Sequence, residues 1–228
     1  MSVPPPRINL PLLAAITDED RQSLLDATET HYEKGQYIFR EGDLANDFHI
    51  LVSGAVKCVK SSPAGKEAVL KVLLPGDLFC CEAAVFEGAP HPGCAQPLGP
   101  VTVLKIAKQT YFRMLRQNPL AALEIIKYLG RRLNEAQETA KAFALQRADQ
   151  RVASLLAKFA ERMGRETPKG VVLDLALTRQ DIADMTGLAL ETTIRTISKL
   201  TRRGLLAKSR RALLIKDLKA LKALAALD

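Results

Sequence analysis

Hydrophobic residues between positions 32 and 106 occur in short runs that are separated by turn residues. Positions 41–43 and 75–77 contain Gly42 and Gly76 beside acidic residues, a composition that favours tight turns. Many short apolar runs at close spacing predict an antiparallel sandwich or barrel. The predicted strands are residues 37–39, 48–52, 55–59, 68–74 and 101–106. Residues 1–30 predict a short helical lead-in, because Thr17 and the acidic residues after it form a capping sequence.

After residue 108 the pattern becomes helical, and a long helix is predicted from Pro119 to about residue 148. Its apolar residues recur at alternating steps of four and three. They are Ala122, Ile126, Leu129, Leu133, Ala136, Ala140 and Phe143. A heptad stripe of this length predicts that Ile126, Leu129, Leu133, Ala136, Ala140 and Phe143 pair with a second copy of the helix in a homodimer. The alternative is a stripe that packs against the chain's own strands.

The C-terminal third predicts two short helices joined by a tight turn. Residues 149–163 form a preceding helix, and the alternating leucines at 173–177 indicate a strand. Helices over 178–185 and 191–203 then flank Gly187, where positive φ is expected. Thr178 can cap the first helix, and Ala183 is small enough for the second helix to approach closely. This is the pattern of a helix-turn-helix, which places its second helix in the major groove of DNA.

The second helix carries side chains that suit base recognition. Glu191 can accept a hydrogen bond from cytosine, and Arg195 can donate two to guanine. Ile194 can contact a thymine methyl group. The alternative is a solvated salt bridge between Glu191 and Arg195, which are one helical turn apart. The predicted DNA-binding residues are Thr178, Arg179, Gln180, Glu191, Thr192, Ile194, Arg195, Lys199, Arg202, Arg210 and Arg211.

Apolar residues at 205–206 and 213–215 flank the basic segment 208–211. This pattern predicts a hairpin with a basic tip, the wing of a winged helix, which would contact phosphates. A solvated turn is the alternative.

Charge supports a division of the chain into domains. The 228 residues carry a formal net charge of +8. Residues 119–228 hold 21 Lys and Arg against 12 Asp and Glu, whereas residues 1–118 are nearly neutral. A basic half indicates a polyanionic partner. We predict a sensor domain over 1–118, a dimerisation helix over 119–148 and a DNA-binding domain over 149–228.

Four cysteines in a chain of this length do not form a disulfide framework, and no apolar run is long enough to cross a membrane. We therefore expect a cytoplasmic protein with no membrane partner.

The chain resembles the Crp/Fnr family, bacterial regulators that include the cyclic-AMP receptor protein and the fumarate-nitrate reduction regulator. Residues 34–43, 48–57 and 75–79 are similar to the strands and turns of the family's sensor domain, and residues 178–183 and 191–195 to its DNA-binding motif. The resemblance implies an α+β fold: an antiparallel β-barrel of the cyclic-nucleotide-binding jelly-roll type, a long dimerisation helix and a C-terminal winged helix-turn-helix. It also implies a homodimer on a near-palindromic operator of double-stranded DNA, controlling transcription through RNA polymerase.

Departures from the family pattern bear on the effector. Members that bind cyclic nucleotides hold the phosphate with an arginine, and here no arginine lies between Lys71 and Lys105. A buried phosphate needs a paired cation, so cyclic AMP is not the expected ligand. Residues 91–96 and Leu190 are closer to the oxygen-responsive, Fnr-like branch. That branch holds an iron–sulfur cluster through N-terminal cysteines, and residues 1–57 contain none, so the usual cluster is not expected.

The predicted effector pocket includes several potential ligands. Its residues are Gly76, Asp77, Phe79, Cys80, Cys81, Glu82, His91 and Cys94. Since histidine and cysteine ligate haem and metals, Cys80, Cys81, His91 and Cys94 are candidates for a haem, metal or redox site. The alternatives are that the cysteines are small buried apolar residues and that His91 lies in a surface turn. His31 and His49 are expected to be structural or exposed, and Cys58 to lie in the core.

The alternatives to a regulator are a thiol redox enzyme that uses Cys80 and Cys81, and a module that only binds a ligand. Adjacent cysteines lack the Cys-x-x-Cys spacing that lowers a thiol pKa, so an enzyme is not expected. The basic winged region argues against a ligand-binding module alone.

Overall fold

The computed structural model describes residues 28–63, 67–175, 177–209 and 212–226. The predicted lead-in before residue 28 and the wing-tip residues Arg210 and Arg211 lie outside these ranges, and the side chains of Cys81, Lys208 and Ser209 are likewise not described. The chain divides into two compact units. The N-terminal unit combines residues up to Ala55 with Pro75–Glu135, and the C-terminal unit combines Val56–Leu74 with residues from Ala136 onward.

The strands of the described chain are short. They are β1 (Thr28–Tyr32), β2 (Asp47–Ser53), β3 (Val56–Ser61), β4 (Glu67–Leu73), β5 (Leu78–Phe79), β6 (Cys94–Pro97), β7 (Val101–Ala107), β8 (Arg165–Thr167), β9 (Gly170–Leu173), β10 (Leu206–Ser209) and β11 (Ala212–Ile215). The helices are α1 (Cys81–Ala84), α2 (Lys108–Gln117), α3 (Pro119–Leu145), α4 (Ala148–Met163), α5 (Arg179–Thr186), α6 (Leu190–Arg202) and α7 (Leu218–Ala225). No helix in these ranges is long and apolar enough to cross a membrane.

In the N-terminal unit, β1, β7, β2 and β5 form an antiparallel sheet in that order. The inner strand β2 is apolar on both faces, as expected of a strand that is covered on both sides. Phe48 pairs in register with Ile106 of β7 and stacks on Tyr111 of α2, with ring centroids 3.7 Å apart. Helix α2 thereby closes the core of this unit, in which Phe48, Ile106 and Tyr111 are all buried.

Two of the sequence predictions for this unit are wrong. Residues 28–32 form strand β1 and not the end of a helical lead-in, because they pair with β7. Their side chains are mostly exposed. An exposed edge strand gives little hydrophobic alternation to detect. Residues 37–39 contribute only an isolated bridge from Phe39 to Ala95. The strand predictions near β2, β3, β4 and β7 are confirmed to within a few residues.

The C-terminal unit contains the β3–β4 hairpin, four helices and a sheet in the order β10, β11, β9, β8. Helix α4 buries Val152, Leu156 and Phe159 along one face. The predicted strand over 173–177 is wrong in its bounds, since β9 spans Gly170–Leu173 and shares only Leu173 with the prediction. Helix α7, which the pattern analysis missed, begins where the Asp217 side chain accepts a hydrogen bond from the Ala220 amide at 2.8 Å. Asp217 therefore caps this helix.

Helix α3 ends at Leu145, three residues before the predicted end. Its apolar stripe is exposed in the single chain: Ile126 is 65% accessible, Leu129 43% and Leu133 60%. The inward residues of the helix are instead Ala121 and Ile125. The predicted stripe therefore does not pack against the chain's own strands at Ile126, Leu129 and Leu133.

Candidate nucleic-acid interface

The first helix of the helix-turn-helix, α5, begins at a reciprocal cap. The Thr178 hydroxyl accepts a hydrogen bond from the Asp181 amide at 3.0 Å, and the Thr178 amide donates to the Asp181 carboxylate at 2.9 Å. The hydroxyl also donates to the same carboxylate at 2.7 Å. This capping box satisfies amides that have no partner inside the helix, and it confirms Thr178 as the capping residue.

Gly187 ends α5 with φ +63°, in the left-handed region that glycine adopts without steric cost. The Leu188 amide then donates to the Ala183 carbonyl at 3.1 Å, which closes the turn. Ile182 and Ala183 are each 1% accessible. The positive φ predicted at Gly187 and the close packing predicted at Ala183 are both confirmed.

The second helix, α6, has one buried and one exposed face. Ile197 and Leu200 are buried among the neighbouring helices, and so are Thr193 and Thr196. The two threonines stand at core positions where larger apolar residues are more usual. The Thr193 hydroxyl oxygen is buried without a hydrogen-bond partner, which costs about 1–3 kcal/mol. The helix is nevertheless fixed in rotation, because its opposite face is polar and exposed.

The exposed side of α6 carries what we call the recognition face: Leu190, Glu191, Ile194 and Arg195. Leu190 is 41% accessible and Ile194 44%, and both charged side chains are exposed. The Arg195 guanidinium donates to the Thr192 hydroxyl at 3.5 Å. No ion pair joins Glu191 to Arg195, although the structure describes both, so the salt-bridge alternative is wrong. The recognition face presents a donor, an acceptor and two apolar groups together.

The residues predicted to contact phosphates have more varied surroundings. Arg202 is exposed near the end of α6, whereas the Lys199 ammonium donates to Asp149 at 2.8 Å. That hydrogen bond lowers the pKa of the Asp149 carboxyl. Lys199 is 54% accessible and still charged, so it contributes positive potential while also tying α6 to α4.

Around α5, the predicted residues Arg179 and Gln180 follow the cap. Arg179 is half-buried, and desolvation lowers the pKa of its guanidinium. Gln180 is exposed and donates to Asp184 at 2.6 Å. Asp184 also forms an ion pair with Lys57 of β3 at 3.7 Å. Thr192, at the start of α6, is half-buried and accepts from Arg195.

In the N-terminal unit, some of the predicted effector residues lie among aromatic rings, of which Phe79, His49 and His91 are buried and Phe39 is half-buried. We call Phe39, His49, Phe79, Cys80 and His91 the histidine–thiol cluster. His49 Nδ1 lies 3.0 Å from Cys80 Sγ, His49 stacks on Phe79, and His91 stacks on Phe39 at 3.7 Å between centroids. Both histidines are at most 4% accessible, so the surface-turn alternative for His91 is wrong.

The environment of the cluster keeps its histidines neutral. Burial lowers the pKa of His49 from 6.5 to about 3, and the charge of Lys105 acts in the same direction. Burial also lowers the pKa of His91. Cys80 has φ +76°, a region that costs a non-glycine residue about 1–2 kcal/mol. Phe39 and His49 are the members that sequence analysis missed as site residues.

The remaining pocket candidates are not part of this cluster. The Cys94 sulfur accepts a hydrogen bond from the Glu41 amide at 3.3 Å, and Glu82 is exposed. Asp77 is buried and pairs with Arg132 of α3 at 3.9 Å, while the Gly76 amide donates to the Leu51 carbonyl at 2.8 Å. Cys58 is buried, as expected. Among the described side chains, no three His, Cys, Asp or Glu are arranged to hold a metal ion.

Comparison with known proteins gives two domain matches. Residues 29–118 match the cyclic nucleotide-binding domain, and residues 150–224 match the Crp-like helix-turn-helix domain. The second match includes the whole of α5 and α6, and therefore the recognition face.

The chain is also similar to whole regulators. It is 30% identical to the nitrogen fixation regulation protein FixK of Bradyrhizobium diazoefficiens over 78% of this chain and 73% of that one. It is 28% identical to the transcriptional activatory protein AadR of Rhodopseudomonas palustris, over 88% and 82% of the two chains. The structure of FixK2 from Bradyrhizobium japonicum aligns with a TM-score of 0.77 and 25% identity, covering 89% of this chain and 98% of that one.

These matches agree with the helix-turn-helix geometry, with the α+β fold and with the resemblance seen in the sequence. The family consists of transcription factors rather than enzymes, so the thiol redox enzyme considered above is ruled out. The chain belongs to the Crp/Fnr family and is a DNA-binding transcriptional regulator that is closer to the Fnr-like branch.

Proposed function

We propose that the protein is a homodimer that binds a near-palindromic operator and reads bases with its recognition face. The observation that carries this proposal is the joint exposure of Glu191, Ile194 and Arg195 on a helix whose other face is buried. Hydrogen-bonding and apolar groups presented together suit the edges of base pairs in the major groove. Lys199, Arg202 and the basic wing would supply phosphate contacts. Control of transcription would run through RNA polymerase, in the cytoplasm where the chromosome lies.

The dimer is proposed to form along α3. The stripe of Ile126, Leu129 and Leu133 is exposed, although side chains of this size are usually buried. Ala136, Ala140 and Phe143 continue its heptad spacing, and parallel helices with such a stripe bury it against each other. A second copy of this chain is the occupant that a symmetric operator also requires. In functional terms we keep the division into a sensor (1–118), a dimerisation helix (119–148) and a DNA-binding domain (149–228).

We further propose that the sensor does not respond to cyclic AMP. The segment from residue 72 to residue 104 contains neither lysine nor arginine, so it offers no cation for a cyclic phosphate. The Arg132 guanidinium, which α3 brings to Asp77, is already engaged with that carboxylate and with Glu135. Control is instead proposed to act through another small effector or through the redox state of the sensor.

The proposal is tested by selecting operators from a pool of random DNA duplexes and measuring affinity by fluorescence anisotropy. We expect the selected sequence to be near-palindromic and its affinity to fall steeply with salt. Saturating cyclic AMP should change the affinity by less than about twofold, since no paired cation is available. Selection of no sequence, or of a single unpaired half-site, would overturn the proposal that a homodimer binds a near-palindromic operator. Activation of binding by cyclic AMP would overturn only the effector proposal.

A further inference from the structure

The junction between α3 and α4 is organised around one arginine. Arg151, in the first turn of α4, donates from Nη2 to the Phe143 carbonyl at 2.8 Å and from Nε to the Gln146 carbonyl at 3.1 Å. Its Nη1 donates to the Thr186 carbonyl at 3.4 Å. Phe143 lies in the last turn of α3, Gln146 directly follows that helix, and Thr186 is the last residue of α5. One guanidinium therefore satisfies carbonyls at the ends of two helices, where unpaired carbonyls concentrate negative potential.

Further contacts around the first turn of α4 involve the ring of Phe143 and the recognition helix α6. The ring of Phe143 lies under the Arg151 guanidinium at 5.6 Å, and a Cβ added to Gly187 would lie 3.5 Å from that ring. Two residues before Arg151, Asp149 accepts the hydrogen bond from Lys199 of α6. The first turn of α4 thus contacts the end of α3, the turn of the helix-turn-helix and the recognition helix.

We propose that Arg151 is a positioning residue that fixes the helix-turn-helix on the end of α3. This inference rests on the proposed function. If α3 forms the dimer, the separation of the two recognition helices depends on how rigidly each one is joined to its own α3. Half-sites must lie about 34–36 Å apart to meet both helices. A planar guanidinium with donors in a fixed fork holds three carbonyls in one arrangement, which a neutral or single-point donor does not.

The experiment measures affinity for the selected operator and for duplexes in which the two half-sites are moved by one or two base pairs. An isolated half-site is measured beside them. We expect the parent to prefer the selected spacing by about tenfold or more, because both subunits must bind at once. In Arg151→Gln the preference should fall to about threefold or less, with half-site affinity unchanged within about twofold. Arg116→Gln, which removes the same charge from α2, should behave like the parent.

A purely structural role would lower affinity for every duplex alike and leave the spacing preference intact, and that result would overturn the proposal. If Arg151→Gln does not fold, Arg151→Lys keeps the charge but not the fork, and it should still lose at least about threefold of the preference. Full preference in a folded Arg151→Lys protein would then contradict the role assigned to Arg151. A parent that binds no duplex DNA would overturn the proposed function itself, which separates the two failures.

Discussion

The recognition face and the histidine–thiol cluster use polar side chains in opposite ways. On α6, Glu191 and Arg195 are exposed and do not pair with each other, so their hydrogen-bonding capacity is available to a partner. In the cluster, His49 and Cys80 are buried and hydrogen-bond to each other, and aromatic rings cover them. The exposed groups on α6 therefore suit the DNA binding proposed above, whereas the buried groups of the cluster already bond within the protein.

The two regions also differ in the contacts that hold them. The recognition face is held through contacts behind it, such as the ion pair between Lys199 and Asp149. In the cluster, His49 of β2 pairs in register with Phe79 of β5, and Cys80 follows Phe79 in a left-handed conformation. Strain of that kind persists only where the surrounding packing imposes it.

The largest effect is expected when the proposed dimer is split, because the operator then no longer meets two recognition faces at once. Leu133→Asp places a charge in the exposed stripe of α3, where it costs the single chain little because Leu133 is 60% accessible. In a dimer the two carboxylates would be buried as like charges. We expect a monomer by sedimentation equilibrium and a loss of operator affinity of about 100-fold or more.

Asn134→Asp is the matched control for that substitution. Asn134 is exposed on the same helix but lies to one side of the stripe, so it introduces the same charge outside the proposed interface. A dimeric Leu133→Asp protein with parental affinity would show that α3 does not form the interface.

The second-largest effect concerns the histidine–thiol cluster and the dependence of stability on pH. Folding keeps His49 neutral down to its pKa of about 3, whereas in the unfolded chain it binds a proton near pH 6.5. The contribution of neutral, buried His49 to the free energy of unfolding is therefore fully present above pH 6.5. It is lost as the pH falls from 6.5 towards 3. By pH 4.5 the free energy of unfolding should have dropped by about 2–3 kcal/mol from this group.

His49→Phe removes the titrating group and keeps an aromatic ring against Phe79. Urea unfolding between pH 7 and pH 4.5 should then show a smaller acid loss in the variant than in the parent. His31→Gln, a change at an exposed histidine, serves as the control. An equal acid loss in His49→Phe and the parent would mean that His49 is not held neutral by burial.

The smallest effect concerns the apolar part of the recognition face. Replacing thymine by uracil removes one methyl group without changing the hydrogen bonds of the base pair. At the position that Ile194 contacts, this should cost about 0.5–1 kcal/mol in the parent and almost nothing in Ile194→Ala. Uracil placed outside the half-sites is the control, and equal losses in both proteins would remove Ile194 from base contact.

Local sequence signals accounted for much of the DNA-binding half. The Thr178 cap and the left-handed Gly187 each depend on residues that are close in sequence, and local sequence detects such patterns. Helix α7 was missed although Asp217 caps it, because it is short and follows a strand directly.

The contacts that define the sites were not predictable in the same way. His49 and Cys80 are 31 residues apart, and Lys199 and Asp149 are 50 apart. Each pair meets because separate elements pack together, and nothing in either local segment specifies the partner. His49 lies in the run of buried residues of β2, which is covered on both faces, so its position in the strand does not mark it as a site residue.

The most direct test of the central claim compares base preference in the parent, Arg195→Ala and Arg195→Lys. Each base pair of the selected operator is changed in turn, and affinity is measured for all three proteins. We predict that Arg195→Ala loses about 1–3 kcal/mol on the parent operator and loses its preference at one guanine in each half-site, symmetrically. Arg195→Lys should retain charge but recover only part of that preference. Equal weakening on operator and scrambled DNA, or no weakening at all, would contradict base recognition by Arg195.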